Sequence, residues 1–397
     1  MKVLVVCQHY APENFQVTDI CEDLVQRGHQ VTAVVGLPNY PSGIVPKEYH
    51  WFRRRRETMN GVQVRRCFEI GRKNTKLGLA VNYVSYMLSA CFKALLLKHD
   101  YDVIYAYSTS PVLMSLPASL LRCFTRKKLV IYVLDIWPAC LAAMHVYEGS
   151  WLYSVMKHVS KWVYAKADVL LYSSKRFQGY LKEVHGLVSA DEYYLPQFAD
   201  ARFTALPGGA PSDRLQLVFA GNIGKMQDVG TLIRAADILR DEPIEWHILG
   251  DGSDFAACVA LADELKLDGI LTMYGRRPLE EMPRFYAMAD AMLVSMRNDI
   301  SVNDTLPGKV QGYMAAGKPV LGSITGETPY ILAQAGCGIC AAPENPEAFA
   351  QIVRDFQHHP ERKQMGLNAR TYYEAYFTKA HHMDRLERLL LQLAEEG

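Results

Sequence analysis

Two stretches of the chain carry the residue types that hold a phosphate. Phe219-Ala220-Gly221-Asn222-Ile223-Gly224-Lys225 runs an apolar segment into a glycine-rich turn that ends on a lysine. Glycine lets backbone N–H groups approach an anion closely, and the lysine adds a point charge. G-x-x-G-K is short and common, so a tight strand–helix turn with a solvated lysine fits it as well. The second stretch runs from Asp304-Thr305-Leu306-Pro307-Gly308-Lys309 to Gly317-Lys318-Pro319-Val320. Pro307 suits the first position of a helix, with Thr305 or Leu306 near its cap. The helix start would offer free N–H groups and partial positive charge, and Lys309 a full charge, which together suit a diphosphate.

A third stretch, Asp135-Ile136-Trp137-Pro138, directly follows a predicted strand, Lys128–Val133. A carboxylate at a strand's C-terminal end can contact a sugar hydroxyl. It can equally cap the next helix, with Trp137 in the core.

A fourth is basic. From Lys47 to Lys76 ten cationic side chains stand against three glutamates, with Tyr49, Trp51 and Phe52 among them. Residues 77–97 follow, apolar except for Asn82, Ser85, Ser89 and Lys93. This profile suits a peripheral contact with an anionic membrane. A core helix packed on a sheet fits residues 77–97 too, and their length admits a span, against which Lys93 and the flanking strands argue. No nucleic-acid motif accompanies the basic residues, so nucleic acid is not an expected partner.

These stretches need a frame to position them. The 397 residues suggest two domains, and half are apolar. A net charge of +1 leaves any attraction for anions to local patches. Val3–Cys7 is too short for a signal peptide's apolar region and reads as a first buried strand. Thr18–Arg27 reads as a helix and Gln30–Val35 as the next strand. Val103–Tyr107, Lys128–Val133 and Ala167–Tyr172 continue the alternation, the pattern of a parallel sheet. Residues 196–213, rich in Pro, Gly and Ala, read as a linker. Leu215–Ala220, Glu245–Leu249, Ile270–Tyr274, Ala291–Ser295 and Pro319–Gly322 form a second α/β series. The expected architecture is two doubly wound, Rossmann-like α/β domains facing across a cleft, 1–195 and 214–380. A final helix over 381–397 could pack back on the first. Nine scattered cysteines read as reduced thiols of a cytoplasmic protein, and Cys337-x-x-Cys340 lacks the second ligand pair of a zinc site.

Taken together, the chain resembles the family 4 GT-B glycosyltransferases, and within them the WbuB-like group of O-antigen and exopolysaccharide assembly. The resemblance rests on Tyr10-Ala11-Pro12-Glu13, Arg27-Gly28-His29-Gln30-Val31, residues 37–43, Asp135-Ile136-Trp137-Pro138, residues 221–225, Leu249-Gly250-Asp251-Gly252, residues 275–290 and residues 307–320. It implies a retaining transferase with donor binding in the second domain, acceptor binding in the first, and no obligate metal or cofactor. The family's Glu-x7-Glu motif falls on Asp304 and Gly312. Asp304 can contact the donor sugar. Gly312 cannot hold the ribose, and Glu327 is the nearest replacement. The family's phosphate-binding Arg and Lys fall near Asn222 and Gln227, leaving the task to Lys225. Glu13-Asn14 stands where a Gly-Gly is usual, and Leu134 where many relatives have His.

The expected reaction moves a sugar from a nucleotide diphosphate, by resemblance UDP, to a membrane-associated, polyprenyl-diphosphate-linked acceptor. Lys225, Lys309 and the helix start at Pro307 and Gly308 would stabilise the leaving diphosphate, with Gly221, Asn222 and Gly224 in the same loop. Asp304 and Asp135 would orient the sugars, and Gly275 and Arg276 would line the base. The expected location is the inner face of the plasma membrane. Two rivals stay open: a UDP-sugar 2-epimerase of the same architecture, and a non-catalytic scaffold of a polysaccharide assembly complex.

Overall fold

The computed structural model describes residues 1–73, 75–209, 212–299 and 304–396. The chain divides into two units, Met1–Leu195 with Met383–Gly397, and Pro196–His382.

In the first unit seven strands form one sheet: β1 (Lys2–Val6), β2 (Gln30–Val35), β3 (Arg56–Met59), β4 (Val62–Arg66), β5 (Val103–Ser108), β6 (Lys128–Val133) and β7 (Val169–Tyr172). Their order is β3-β4-β2-β1-β5-β6-β7. Val3 pairs in register with both Val31 and Val103, and only β3 runs antiparallel, against β4. Every residue of β5 is buried, as expected of a parallel strand covered on both faces. The helices are α1 (Gln16–Gln26), α2 (Lys76–Leu96), α3 (Leu116–Thr125), α4 (Trp151–Tyr164) and α5 (Arg176–Tyr180). In α1 the buried Val17, Ile20, Cys21 and Leu24 follow the helical period, and Gly28 takes the left-handed φ of +88° just beyond it.

The second unit holds β8 (Leu215–Ala220), β9 (Ile244–Leu249), β10 (Leu271–Gly275), β11 (Ala291–Ser295), β12 (Val320–Ser323) and β13 (Gly338–Ala341). Their order is β10-β9-β8-β11-β12-β13, all parallel. The helices are α6 (Val229–Ile238), α7 (Phe255–Glu264), α8 (Met282–Met288), α9 (Gly308–Ala315), α10 (Glu327–Ala335), α11 (Pro346–Gln357), α12 (Arg362–Tyr376) and α13 (Lys379–Glu395). Leaving aside β3, each sheet has the doubly wound order 3-2-1-4-5-6. The strand order reverses between β1 and β5 in one, and between β8 and β11 in the other. The C-terminal ends of those strand pairs are where such sheets bind ligands.

Three sequence expectations need correction. The basic stretch does not present all ten of its charges. Residues 56–66 form a β3–β4 hairpin, because Asn60-Gly61, at φ of +45° and +86°, is a two-residue hairpin turn. Arg66 within it is buried, with Nε 2.7 Å from Glu57 and one Nη donating to Ala11 O at 2.6 Å. It therefore presents no charge outward. The start of residues 196–213 is no free linker either. Phe198 and Ala199 are buried in the second unit, Ala199 N–H donates to Phe377 O at 3.1 Å, and Phe203 stacks on Tyr286 at 4.6 Å. Its Pro, Gly and Ala content masks these aromatic anchors. Finally, α2 is neither a fully buried core helix nor polar outside. It buries Asn82, Tyr86, Ala90 and Ala94 and exposes Leu77, Val81, Val84, Leu88, Phe92, Leu95 and Leu96.

The end of α13, from Met383, belongs to the first unit. Arg27 holds it there, 2.8 Å from Asp384 and 2.7 Å from Glu387, and His29 Nε2 lies 2.7 Å from Glu387.

Candidate functional site

In the second unit the site grows from the end of β8. Gly221 stands there at φ +149°, and Lys309, the second residue of α9, reaches back to it. A Cβ on Gly221 would lie 2.8 Å from Lys309 Nζ, so glycine clears the space that the ammonium occupies. Nζ lies 3.9 Å from the Phe219 ring centroid. It is fully buried and has no hydrogen-bond partner among the described residues. Burial pushes its pKa down to about 7. A buried donor without a partner costs about 1–3 kcal/mol, more for a charged one. An anion at this point would recover that cost and restore the charge.

The surrounding loops are braced. Gln227 Oε1 accepts from Asn222 Nδ2 at 2.7 Å and from Gly224 N–H at 3.1 Å, and Ser295 Oγ donates to Gln227 O at 2.6 Å. Gly221 N–H donates to Leu249 O, and Gly250 N–H to Gly275 O, each at 3.0 Å. A Cβ on Gly250 would meet Gly221 O at 1.7 Å, so only glycine lets these backbones pass. The loops after β8, β9 and β10 thus stand side by side. Lys225 is exposed and opens a short 3-10 turn. Arg276 is exposed beside Gly275.

The start of α9 lies one residue later than the sequence suggests. Pro307 is the cap itself (φ −61°, ψ 129°), and Gly308 is the first helical residue. Pro307 still supplies a fixed φ, and Gly308 bares the first N–H groups. Asp304 is half-buried in the turn ahead of α9. Glu327 is 1% exposed and opens α10 beyond β12, after Gly326 at φ +86°. The structure therefore gathers Lys309, Gly221 and the Asn222–Gly224 loop directly. Lys225 and Arg276 stand exposed on the adjoining loops, and Glu327 is buried at the start of α10.

In the first unit the reversal point between β1 and β5 carries carboxylates. Asp135 Oδ2 accepts from Ser110 N–H at 2.9 Å, and Trp137 Nε1 donates to Ser110 Oγ at 3.1 Å. Burial raises the Asp135 pKa, and the Ser110 hydrogen bonds hold it back in part. Asp135 thus braces the loop after β5 rather than capping the following helical turn, whose cap is Pro138. Sequence reasoning missed two neighbouring groups. His9 Nδ1 meets Glu13 Oε2 at 2.9 Å, while Glu13 Oε1 accepts from the N–H groups of Asn39 and Tyr40 at 2.7 and 2.6 Å. The His9 ring stacks on Phe15, centroids 4.6 Å apart. Glu69 accepts from the side chains of Gln8 at 2.7 Å, Asn82 at 2.7 Å and Asn39 at 3.0 Å. Burial still pushes its pKa up to about 7. The available signal was Gln8-His9, two polar residues ending an apolar strand.

Among the described residues no group of three or more His, Cys, Asp or Glu side chains could hold a metal ion.

Two family models match the chain. "Glycosyl transferase 4-like domain" spans residues 14–196, and "Glycosyl transferases group 1" spans 206–372. The chain is 24% identical over 404 residues to the colanic acid biosynthesis glycosyl transferase WcaI of Escherichia coli, covering 96% of this chain and 97% of that one. It is 24% identical over 310 residues to the glycosyltransferase WbjE of Pseudomonas aeruginosa, covering 72% and 74%. Among solved structures, Alr3699/HepE of Anabaena, in complex with UDP and glucose, superposes with a TM-score of 0.69 at 16% identity. That match covers 98% of this chain and 99% of the other.

Proposed function

The chain belongs to the GT-B glycosyltransferases, a glycosyl transferase 4-like domain followed by a group 1 domain, and on that premise we propose that it moves a sugar from a UDP-type nucleotide donor to a lipid-linked acceptor in surface-polysaccharide assembly. The observation that carries this reading is the buried, unpartnered ammonium of Lys309 against Gly221, at the strand-reversal point of the second unit. A donor diphosphate there supplies the missing counter-charge. Its departure from the sugar is the step at which negative charge grows, and that is where a fixed cation lowers a barrier. Lys225, the α9 start at Pro307 and Gly308, and the N–H groups of residues 221–224 share the task. Asp304 orients the donor sugar, Glu327 takes the ribose, and Gly275 with Arg276 flanks the base.

In this reading the acceptor hydroxyl attacks the anomeric carbon from the face that the diphosphate leaves, and a diphosphate oxygen takes its proton. The configuration is retained. Asp135 and the His9–Glu13 pair hold the acceptor sugar in the first unit. UDP is supported by HepE, whose structure contains it, and a polysaccharide role by WcaI, named for colanic acid biosynthesis.

The reading includes a peripheral seat on the cytoplasmic membrane face. Trp51 and Phe52 are 87% and 75% exposed beside Arg53 and Arg54. Among the described residues α2 alone is long and apolar enough to cross a membrane, by length and composition only, and only 22% of its apolar window is buried. Its exposed apolar row suits lying in an interface.

The test is incubation of purified protein with UDP-sugars and a membrane extract, following free UDP and labelled lipid. Both should appear together. A changed sugar without lipid product would mark an epimerase, and neither product a scaffold.

A further inference from the structure

A second concavity of the first unit lies away from the ligand end of its sheet. It is a groove of about 740 Å³ between the C-terminal half of α2 and the strands β1, β2 and β4. Its lining includes Lys2, Leu4 and Thr32, near the starts of β1 and β2, and so lies opposite the end that carries His9 and Asp135. The volume falls in the range of sites for small ligands, about 300–1,000 Å³.

Its lining combines two chemistries. Besides Lys2 and Arg66, which pair with Asp100 and Glu57, it holds the cations Arg55, Arg56, Arg65, Lys93 and Lys98. The only carboxylate in the lining, Asp100, already pairs with Lys2 at 3.3 Å. Among the described residues none of Arg55, Arg56, Arg65 or Lys93 pairs with a carboxylate. Arg55 Nε is buried with no hydrogen-bond partner, although Nη1 donates to Cys67 O at 3.1 Å. Burial and the neighbouring arginines lower the Lys93 pKa, which a bound anion would reverse. Among these cations stand exposed apolar side chains: Phe52, Phe68, Phe92 and Leu96 are 75%, 49%, 68% and 70% exposed, and the Arg55 guanidinium lies 5.5 Å over the Phe52 ring. Phe92 and Leu96 also end the exposed row of α2, so the groove opens onto the surface proposed to face lipid.

Cations that meet backbone carbonyls but no carboxylate, Lys93 donating to Arg66 O at 2.7 Å and Arg55 to Cys67 O, beside bare aromatic and aliphatic side chains call for one molecule with an anionic head and a hydrocarbon tail. We propose that this groove binds a single anionic membrane phospholipid, its head on Arg55, Arg65 and Lys93 and its chain along Phe52, Phe92 and Leu96. A soluble phosphate would leave the apolar side bare, and a neutral lipid would leave the cations unpaired. The inference extends the membrane reading above and is separable from it.

The test is native mass spectrometry of the purified full chain in detergent, with phosphatidylglycerol, phosphatidylcholine or glycerol 3-phosphate added. Wild type should carry one phosphatidylglycerol, at least about tenfold more than phosphatidylcholine. The double variant Arg55→Gln, Lys93→Gln should lose this preference. Thr32→Phe, which adds bulk to the lining, should lose the adduct, and unchanged melting temperatures certify both folds. Equal uptake of the two lipids, adducts indifferent to both variants, or glycerol 3-phosphate binding as well as the lipid would each overturn the proposal. Vesicle co-sedimentation of Arg53→Ser, Arg54→Ser separates the two ideas. That variant should pellet less yet keep its adduct. A wild type that never pellets but carries the adduct would remove the membrane reading alone.

Discussion

The two units use one strand order and fill its ligand end with opposite chemistry. At the β8–β11 reversal a lysine ammonium is buried against glycine and an aromatic ring with nothing to bond. At the β1–β5 reversal the carboxylates of Asp135, Glu13 and Glu69 are each held by N–H donors. The first holds a donor that an anion would satisfy. The second is already satisfied internally and can offer lone pairs to hydroxyl groups. Topology thus places a ligand without choosing it, and a few side chains decide its charge.

The contrast can be broken most directly at Lys309. Lys309→Ala should lower turnover by about a hundredfold at saturating donor, because a cation on the leaving group is lost. Near wild-type turnover in a folded variant would remove the premise. Gly221→Ala attacks the same point from the backbone. Its Cβ would sit 2.8 Å from Nζ at a φ of +149°, so donor-dependent rates should fall by about tenfold or more. Crystals showing Lys309 undisturbed in an active variant would refute that.

Acidity offers a further contrast. Lys309, with a pKa pushed down to about 7, is charged below that value and loses its proton above it. Donor affinity should therefore weaken as pH rises through 7, by up to about tenfold per unit, one proton being linked to binding. Lys309→Arg, always protonated, should flatten the profile over the same range. A wild-type profile flat from pH 6 to 8, measured by calorimetry with a non-transferable donor, would count against the buried ammonium as the anchor.

In the first unit the expected effect is smaller and falls on the other substrate. Asp135→Asn and Glu13→Gln should raise the acceptor KM several-fold and leave slow donor hydrolysis untouched, since each removes about one charge-assisted hydrogen bond. Equal losses with both substrates would point to damaged folding. The smallest expected effect is none at all: activity should persist in EDTA. Activity abolished by EDTA and restored by manganese would show that a metal, and not lysine alone, balances the diphosphate.

Much of this was legible in the residues themselves. Lys128–Val133, Leu215–Ala220 and Ala291–Ser295 are strands with the bounds read from sequence, because β-branched and apolar runs between turn residues are a local signal. The hairpin at Asn60-Gly61 was equally local and was obscured by the arginines around it. The two-domain pattern, the glycine turn after β8 and the helix after Pro307 also follow from neighbours in the chain.

Tertiary structure alone decided the rest. Lys309 meets Phe219 and Gly221 across some ninety positions of sequence, and no local pattern announces that its charge is buried. Arg66 looks like its basic neighbours until Glu57, Ala11 O and Tyr49 are found around it. Glu13 sits beside Asn39 and Tyr40 only because β1 and β2 lie side by side. Which groups are desolvated, and by which partners, depends on distant segments packing together, and that is what turns a residue type into a site.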